Sequence, residues 1–376
     1  MLCFLLQTAN AQTADSLHVR ISLITCSPGD ELYSTFGHTA IRITDSVKKT
    51  DLVYNYGNFD FDTPDFYVKF VRGKLPYSLE LDDFPHFMQE YYFERRSVQE
   101  QELKLSQQEK TELISALEIN ARKENKYYKY DFLLDNCTSR VRDLLFKYIH
   151  GMQLDKEITA KGVTSRNLIH AYLDKGGEPW NKLGIDLLLG SRLDEPISQH
   201  DAMFLPEYLL MGIDSAVAGN ASVVVKKKYL LQVDSPVIPS GKYVPLITVA
   251  VIVLFLFFIY YAARKNSLLS GIADAFLLYL TGLLGLLLLF MWFGTDHTVC
   301  RKNFNLLWAM PLNFFTAFFI WKQHAWIKTY FKIMFVLNIL LLIAWSWLPQ
   351  EMNIAVFPFV LLMCYRYWKL AFKTNK

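Results

Sequence analysis

Cysteine is scarce in this chain and never patterned. There are five in 376 residues, at positions 3, 26, 137, 300 and 364, with no CxxC pair and no spacing suited to a zinc site or a disulfide framework. Net charge is also nearly absent. Lys and Arg number 39 against 36 Asp and Glu, a formal +3, too small and too concentrated near apolar segments to argue for nucleic acid. No internal repeat or low-complexity tract occurs, and nothing calls for a metal or an organic cofactor. The first residues lack the basic stretch that opens a complete secretory signal.

Apolar residues are what the chain has in excess. At 52% hydrophobic and 15% aromatic it is too apolar for an ordinary soluble enzyme. The excess is uneven: residues 12–242 read as a mixed globular domain, while 243–376 are apolar runs broken by short basic loops. Met1-Leu2-Cys3-Phe4-Leu5-Leu6, followed by Ala9-Asn10-Ala11, reads as the end of a secretory signal with a small-x-small cleavage site, the start being truncated. Cys3 lacks the small residue that precedes a lipidated cysteine, so simple export is expected over residues 1–11.

Five segments approach the ~20 apolar residues that a bilayer demands. They run over about 243–263, 271–293, 306–321, 331–348 and 354–370. Arg264-Lys265, residues 322–332 and residues 366–376 are basic and belong on the cytoplasmic side, whereas 349–353 carry no positive charge and face outward. Loop 294–305 then also lies outside, although Arg301 and Lys302 run against the rule. This topology puts residues 12–242 outside the cytoplasmic membrane, in agreement with the export signal. The tryptophans Trp308, Trp321, Trp326, Trp345, Trp347 and Trp368 read as an interfacial belt.

Within the exported part, alternation and β-branching predict strands over 18–25, 38–44 and 52–56, with a turn at Ser27-Pro28-Gly29-Asp30. Helices are expected over 89–96, 106–125 and 136–150, the second opened by a Ser106/Glu109 capping box. Residues 203–210 read as an amphipathic helix at the bilayer surface. Residues 222–225 and 229–233 read as a hairpin turning at Lys226-Lys227-Lys228, and residues 234–245, with three prolines, as the linker to the first span.

Asn136-Cys137-Thr138 carries the chemistry. A cysteine opening a helix feels the positive end of the dipole and free amides, which lower its pKa toward a reactive thiolate. An exported domain that keeps such a lone thiol points the same way. Upstream, Phe36-Gly37-His38-Thr39-Ala40 puts a histidine at the mouth of a strand, where it can act as base. Asn55, or Tyr54 or Tyr56 beside it, would fix the imidazole tautomer. Backbone amides near Cys137 would hold an oxyanion. Cys26 reads as a small core residue. Arg72 and Tyr77, in Arg72-Gly73-x-x-x-Tyr77, are candidates for a phosphate headgroup, and Arg140 with Arg142 for the thiolate or a phosphate; the arginines read equally well as solvated or ion-paired side chains. Asp296 and His297 lie in an outward loop that would close over substrate or anchor the exported domain.

The order of strand histidine, next-strand polar residue and later helix-opening cysteine is that of a permuted papain-like fold. The runs Thr25-Cys26-x-Pro28-Gly29-Asp30-Glu31-Leu32-Tyr33-x-x-Phe36-Gly37-His38-Thr39-Ala40, Tyr54-Asn55-Tyr56-Gly57 and Tyr130-Asp131-Phe132-x-x-Asp135-Asn136-Cys137 resemble the periplasmic domain of the Lnb-type lipoprotein N-acyltransferases. Thr295-Asp296-His297 and Asn303-x-Asn305-Leu306-Leu307-Trp308-x-x-Pro311-Leu312-Asn313 resemble the same family's membrane part. The layout is also similar to lecithin:retinol acyltransferase-like and NlpC/P60-like enzymes. The resemblance implies an α+β exported domain followed by an all-α bundle of five transmembrane helices. It further implies transfer of a fatty acyl chain from a phospholipid to the α-amino group of a diacylglyceryl-cysteine lipoprotein N-terminus, with Cys137 carrying the thioester and His38 as base. Two other readings use the same residues: a membrane-anchored cysteine peptidase or amidase of cell-wall peptide, and a non-catalytic membrane scaffold.

Overall fold

The computed structural model describes residues 18–31, 34–234, 241–263, 266–322 and 324–372. The signal remnant with Cys3, Leu32-Tyr33 of the first motif, most of the linker, Arg264-Lys265 and the end of the basic tail lie outside the described residues.

In chain order the elements are β1 (Val19–Cys26), β2 (His38–Asp45), β3 (Thr50–Asn58), α1 (Phe66–Val71), β4 (Pro76–Asp83), α2 (Phe84–Phe93), β5 (Val98–Leu103), α3 (Gln107–Ala121), β6 (Tyr127–Lys129), α4 (Cys137–Tyr148) and β7 (Met152–Leu154). Then come α5 (Ser165–Lys175), α6 (Pro179–Leu188), α7 (Gln199–Ala202), α8 (Pro206–Ser215), β8 (Ala216–Ala218), β9 (Ala221–Ser222) and β10 (Val224–Leu231). The last are α9 (Val244–Ala262), α10 (Ser267–Phe293), α11 (Leu312–Phe319), α12 (Ala325–Ala344) and α13 (Phe357–Ala371). By their contacts they divide into two compact units, Met1–Val163 with Ile197–Val237, and Thr164–Pro196 with Ile238–Lys376.

The first unit is built on a seven-stranded antiparallel sheet in the order β10-β5-β1-β2-β3-β4-β6. Both faces of its centre are covered, so β1 is buried along nearly its whole length, Ser22 and Thr25 included. Ile21, Leu23 and Ile41 pack against Leu113 and Leu117 of α3 and Val141 and Leu145 of α4. On the other face Ile24, Cys26, Ala40 and Val53 meet Phe87 and Tyr91 of α2. A separate three-stranded sheet joins β7, β8 and β9.

The first three expected strands form, the first shifted by one residue, the second longer by one and the third by four. The Ser106/Glu109 capping box opens α3 as expected. Helix α2 starts earlier than its expected 89–96, at Phe84 with Pro85 in its first turn. Two expectations fail. The lysine run is not a turn: it lies inside β10, an edge strand, where Lys228 pairs with Glu100 at 3.0 Å and Lys227 with Asp214. Charged side chains on an edge strand also discourage pairing with other chains. Residues 203–210 do not lie at a bilayer surface, because Met203, Phe204, Leu205 and Leu209 are buried in the first unit.

The second unit holds the apolar helices. Among the described residues four helices are long and apolar enough to cross a membrane: Val244–Ala262, Ser267–Phe293, Ala325–Trp347 and Ile354–Ala371. The expected third span differs. It is broken into a 3-10 turn, Phe304–Leu307, and the eight-residue α11 beyond Pro311. Its irregular backbone lies directly on α10, where Gly282 and Gly285 leave room; a Cβ on either would collide with Phe314 or Ala309. Non-helical backbone is tolerated at membrane depth only when protein covers it in this way.

Residues 164–196 belong to this second unit although they precede the linker in sequence. Fully buried Arg166 ties them together through Asp186 (2.7 Å), Asp194 (2.8 Å) and the carbonyl of Gly190 (3.1 Å). The carbonyls ending α6, which a helix leaves without internal partners, accept from amides of the inter-span loops. Asn305 donates to Asp186 O (2.8 Å), Asn303 to Leu187 O (2.7 Å) and Gln350 to Leu189 O (3.1 Å). Asn353 Nδ2 reaches the Asp186 carboxylate at 2.8 Å. The Asn303-x-Asn305 motif is thus a helix-capping device.

Candidate active site

Cys137 is the first residue of α4, and its position is fixed by the residue before it. Asn136 caps the helix reciprocally with Ser139: its Oδ1 accepts from the Ser139 amide at 2.8 Å, and its own amide donates to Ser139 Oγ at 2.8 Å. Asn136 Nδ2 also donates to the carbonyls of Phe132 (2.8 Å) and Phe204 (2.9 Å), which draws residues 203–205 into the core. The amides of Cys137 and Thr138 make no hydrogen bond among the described residues, so they remain available at the positive end of the helix.

His38 opens β2 opposite Cys26 and its ring reaches Cys137. His38 Nε2 lies 2.6 Å from Asn55 Oδ1, and Asn55 Nδ2 donates to Asp82 Oδ2 at 3.0 Å. The amide is therefore oriented by a carboxylate on the neighbouring strand, and its oxygen accepts from Nε2–H. That leaves Nδ1 for the thiol. Tyr54 and Tyr56 face the core cluster instead, Tyr56 accepting from Asn120 at 2.8 Å.

Gly57 completes the approach. It sits at a register shift of β3 with φ +94°, and a Cβ there would stand 3.3 Å from Cys137 Cβ and 4.0 Å from the His38 ring. Only a residue without a side chain allows strand, imidazole and thiol to meet this closely.

Burial opposes charge on both the Cys137 thiol and the His38 ring, yet their mutual attraction prevails. It pushes the Cys137 thiol up, but the His38 charge, hydrogen bonds from His38 and Thr138, and the Thr39 amide bring it net below its ordinary value. Burial likewise pushes the imidazole down, while the Cys137 charge and hydrogen bonds with Cys137 and Asn55 raise it overall. Both shifts run toward the thiolate–imidazolium form of the pair. Cys26, one strand away, is buried with its thiol pushed up to about 12 and is inert by comparison.

Residues 7–171 match the family described as the Lnb N-terminal periplasmic domain, and residues 239–376 the one described as the Lnb transmembrane domain. The chain belongs to the Lnb family. It is a multi-pass membrane protein whose N-terminal domain is periplasmic, and a cysteine-dependent acyltransferase acting on lipoprotein N-termini. No curated protein and no solved structure matches it.

The Lnb-type motifs now have structural reasons. Asp131 accepts from the amides of Leu133 and Leu134, turning the chain ahead of Asn136. Asp135 grips Arg140 with two hydrogen bonds of 2.6 and 2.9 Å, and the guanidinium lies 3.6 Å over the Tyr128 ring. Tyr77 stacks on Tyr130 at 4.4 Å, close to Cys137. Arg72 is exposed at the end of α1. Asp296 and His297 belong to the second unit, in the turn after α10. Sequence reasoning missed Asp82 and Gly57. Asp82 lies on β4, which was not expected as a strand; its alternation Ser78-Leu79-Glu80-Leu81-Asp82 was the available signal.

Proposed function

We propose a two-step acyl transfer through Cys137. The thiolate attacks an ester carbonyl of a phospholipid, and the first-turn amides of α4 stabilise the oxyanion. His38 gives its Nδ1 proton to the departing lysophospholipid oxygen, leaving a thioester on Cys137. The α-amine of a diacylglyceryl-cysteine lipoprotein then attacks that thioester, losing a proton to His38 as the N-acylated lipoprotein and free thiol form.

The observation that carries this reading is the row Asp82, Asn55, His38, Cys137, which ends on a thiol at a helix N-terminus. Asn55 orients, His38 moves the proton and Cys137 carries the acyl group. Arg140 serves in this reading as a brace for the Cys137 turn, since Asp135 and Tyr128 occupy its guanidinium. Tyr77 belongs to the wall of the acyl path, and Arg72, Asp296 and His297 are candidates for headgroup or acceptor contacts.

Intact-mass measurement of the detergent-purified protein after incubation with phospholipid tests it. A fatty-acyl adduct removed by neutral hydroxylamine, absent in Cys137→Ala and discharged by a diacylated lipopeptide, is expected. Absence of both adduct and lysophospholipid would sink the reading.

A further inference from the structure

Helix α1 has no buried residue. Six residues are far too few for a helix to persist alone in water, where ~12–15 are marginal. Tyr67 is 78% exposed and Phe61, just before the helix, 64%; Val68, Phe70 and Val71 are also exposed. Apolar residues clustered like this on the surface mark an interaction site. The cluster is not an isolated outgrowth. Phe61 and Phe66 pack on Phe59 (5.1 and 5.9 Å), Phe59 on Tyr77 (5.3 Å), and Tyr77 on Tyr130 beside Cys137 (4.4 Å).

Strand directions place this cluster. β3 ends at Asn58, one residue past Gly57, so the excursion 59–75 leaves from the end of the sheet that holds His38 and Cys137. At the same end α2 finishes in exposed Tyr92 and Phe93, because β5 follows and begins at Val98 opposite Cys26. β10 also finishes there, Leu231 pairing with Val98. Charge follows the same order along the excursion. Asp60, Asp62 and Asp65 precede α1, whereas Lys69, Arg72 and Lys74 on and after it make no ion pair among the described residues.

We infer that the active-site end of the periplasmic domain is a membrane-embedding surface, with α1 and the tip of α2 as two apolar prongs in the phospholipid interface. Aromatic rings at the headgroup level and neighbouring cations toward lipid phosphates are what such a surface requires. The row of rings from Phe61 to Tyr130 then gives an acyl chain an apolar route from the leaflet toward Cys137. This route rests on the acyl-transfer reading; the embedding does not.

The experiment uses the full chain with Cys3→Ser and Cys137→Ala, carrying Tyr67→Cys, Phe93→Cys or, at the opposite end of the sheet, Val47→Cys. Each is labelled with an NBD maleimide in nanodiscs of phosphatidylcholine and phosphatidylglycerol. Lipids brominated on their acyl chains are expected to quench the labels at 67 and 93 at least threefold more than the label at 47. Quenching at 67 and 93 no greater than at 47 overturns the inference, including when a label is shielded without being quenched, as a protein partner would produce. In the otherwise unchanged chain, Tyr67→Ser with Phe70→Ser should lower Cys137 acylation from vesicle phospholipid about tenfold and leave its alkylation by iodoacetamide unchanged. Equal acylation overturns the route. Selective quenching with no acylation of the unchanged chain would overturn the acyl-transfer reading alone.

Discussion

Asn55 Oδ1 lies 2.6 Å from His38 Nε2, and this contact decides which imidazole nitrogen faces Cys137. The amide cannot rotate freely, because its nitrogen donates to Asp82. A histidine held by its far nitrogen keeps one tautomer and one ring orientation, so in the proposed transfer the proton that moves is the one on Nδ1.

Asn55→Ala should therefore lower lipopeptide N-acylation by about 10²-fold, the scale of a positioned acid–base group. Asp82→Ala should cost less, severalfold, since the amide stays but loses its orientation. Rates of N-acylation measured beside Cys137 alkylation check this, and equal losses for the two variants would contradict the ordering.

Alkylation of Cys137 should have its pH midpoint below that of an ordinary thiol. In His38→Ala the counter-charge is gone while burial remains, so the midpoint should move up. At pH values above the raised imidazole pKa the thiolate persists and alkylation stays on its plateau. Acyl transfer should fall there, because the departing oxygen no longer finds a proton on His38. Iodoacetamide rates and transfer rates taken over the same pH range separate the two.

Gly57→Ala should strain the backbone at φ +94° and press on Cys137, destabilising by about 1–3 kcal/mol and abolishing most acylation. Gly219→Ala is the control. It also has positive φ, at +61°, but its Cβ meets nothing within 4 Å, so it should be strained without losing activity. Denaturant midpoints and thioester yields report both.

Arg166→Met should leave Asp186 and Asp194 facing each other in the second unit. Breaking a buried pair of this kind costs about 3–5 kcal/mol. Asp186→Asn should cost less, since Arg166 keeps Asp194 and the Gly190 carbonyl. Denaturation in detergent micelles, followed by tryptophan fluorescence, gives the comparison.

The arrangement of the candidate site was legible because local chemistry fixes it. Asn136 caps whatever helix follows, Cys137 must then open it, and the β-branched run after His38 can only be a strand. What sequence could not show depends on packing from afar. Met203, Phe204 and Leu205 have the same composition as an interfacial helix, and the grip of Asn136 on the Phe204 carbonyl, with Phe204 packed on Phe132 and Met203 in the core cluster, holds them inward. Lys226-Lys227-Lys228 looked like a turn until Glu100 and Asp214 came alongside. The regular helix of the third expected span is short, because Pro311 and the capping role of Asn305 use its first half for irregular backbone. The apolar residues of α1 escaped notice because six residues are too short for any period to register.

The neck of the 164–196 excursion bears on how the catalytic part can be isolated. Ile197 N donates to Val163 O at 3.0 Å, so the chain leaves the first unit and returns to it at nearly the same point. Cutting only before the first span would strand Arg166, Asp186 and the ends of α6 without the loop amides that satisfy them. Deleting 164–196 as well, with a short glycine bridge from Val163 to Ile197, takes those groups away with their partners. The first unit on its own is therefore two stretches of sequence joined at a place where they already touch.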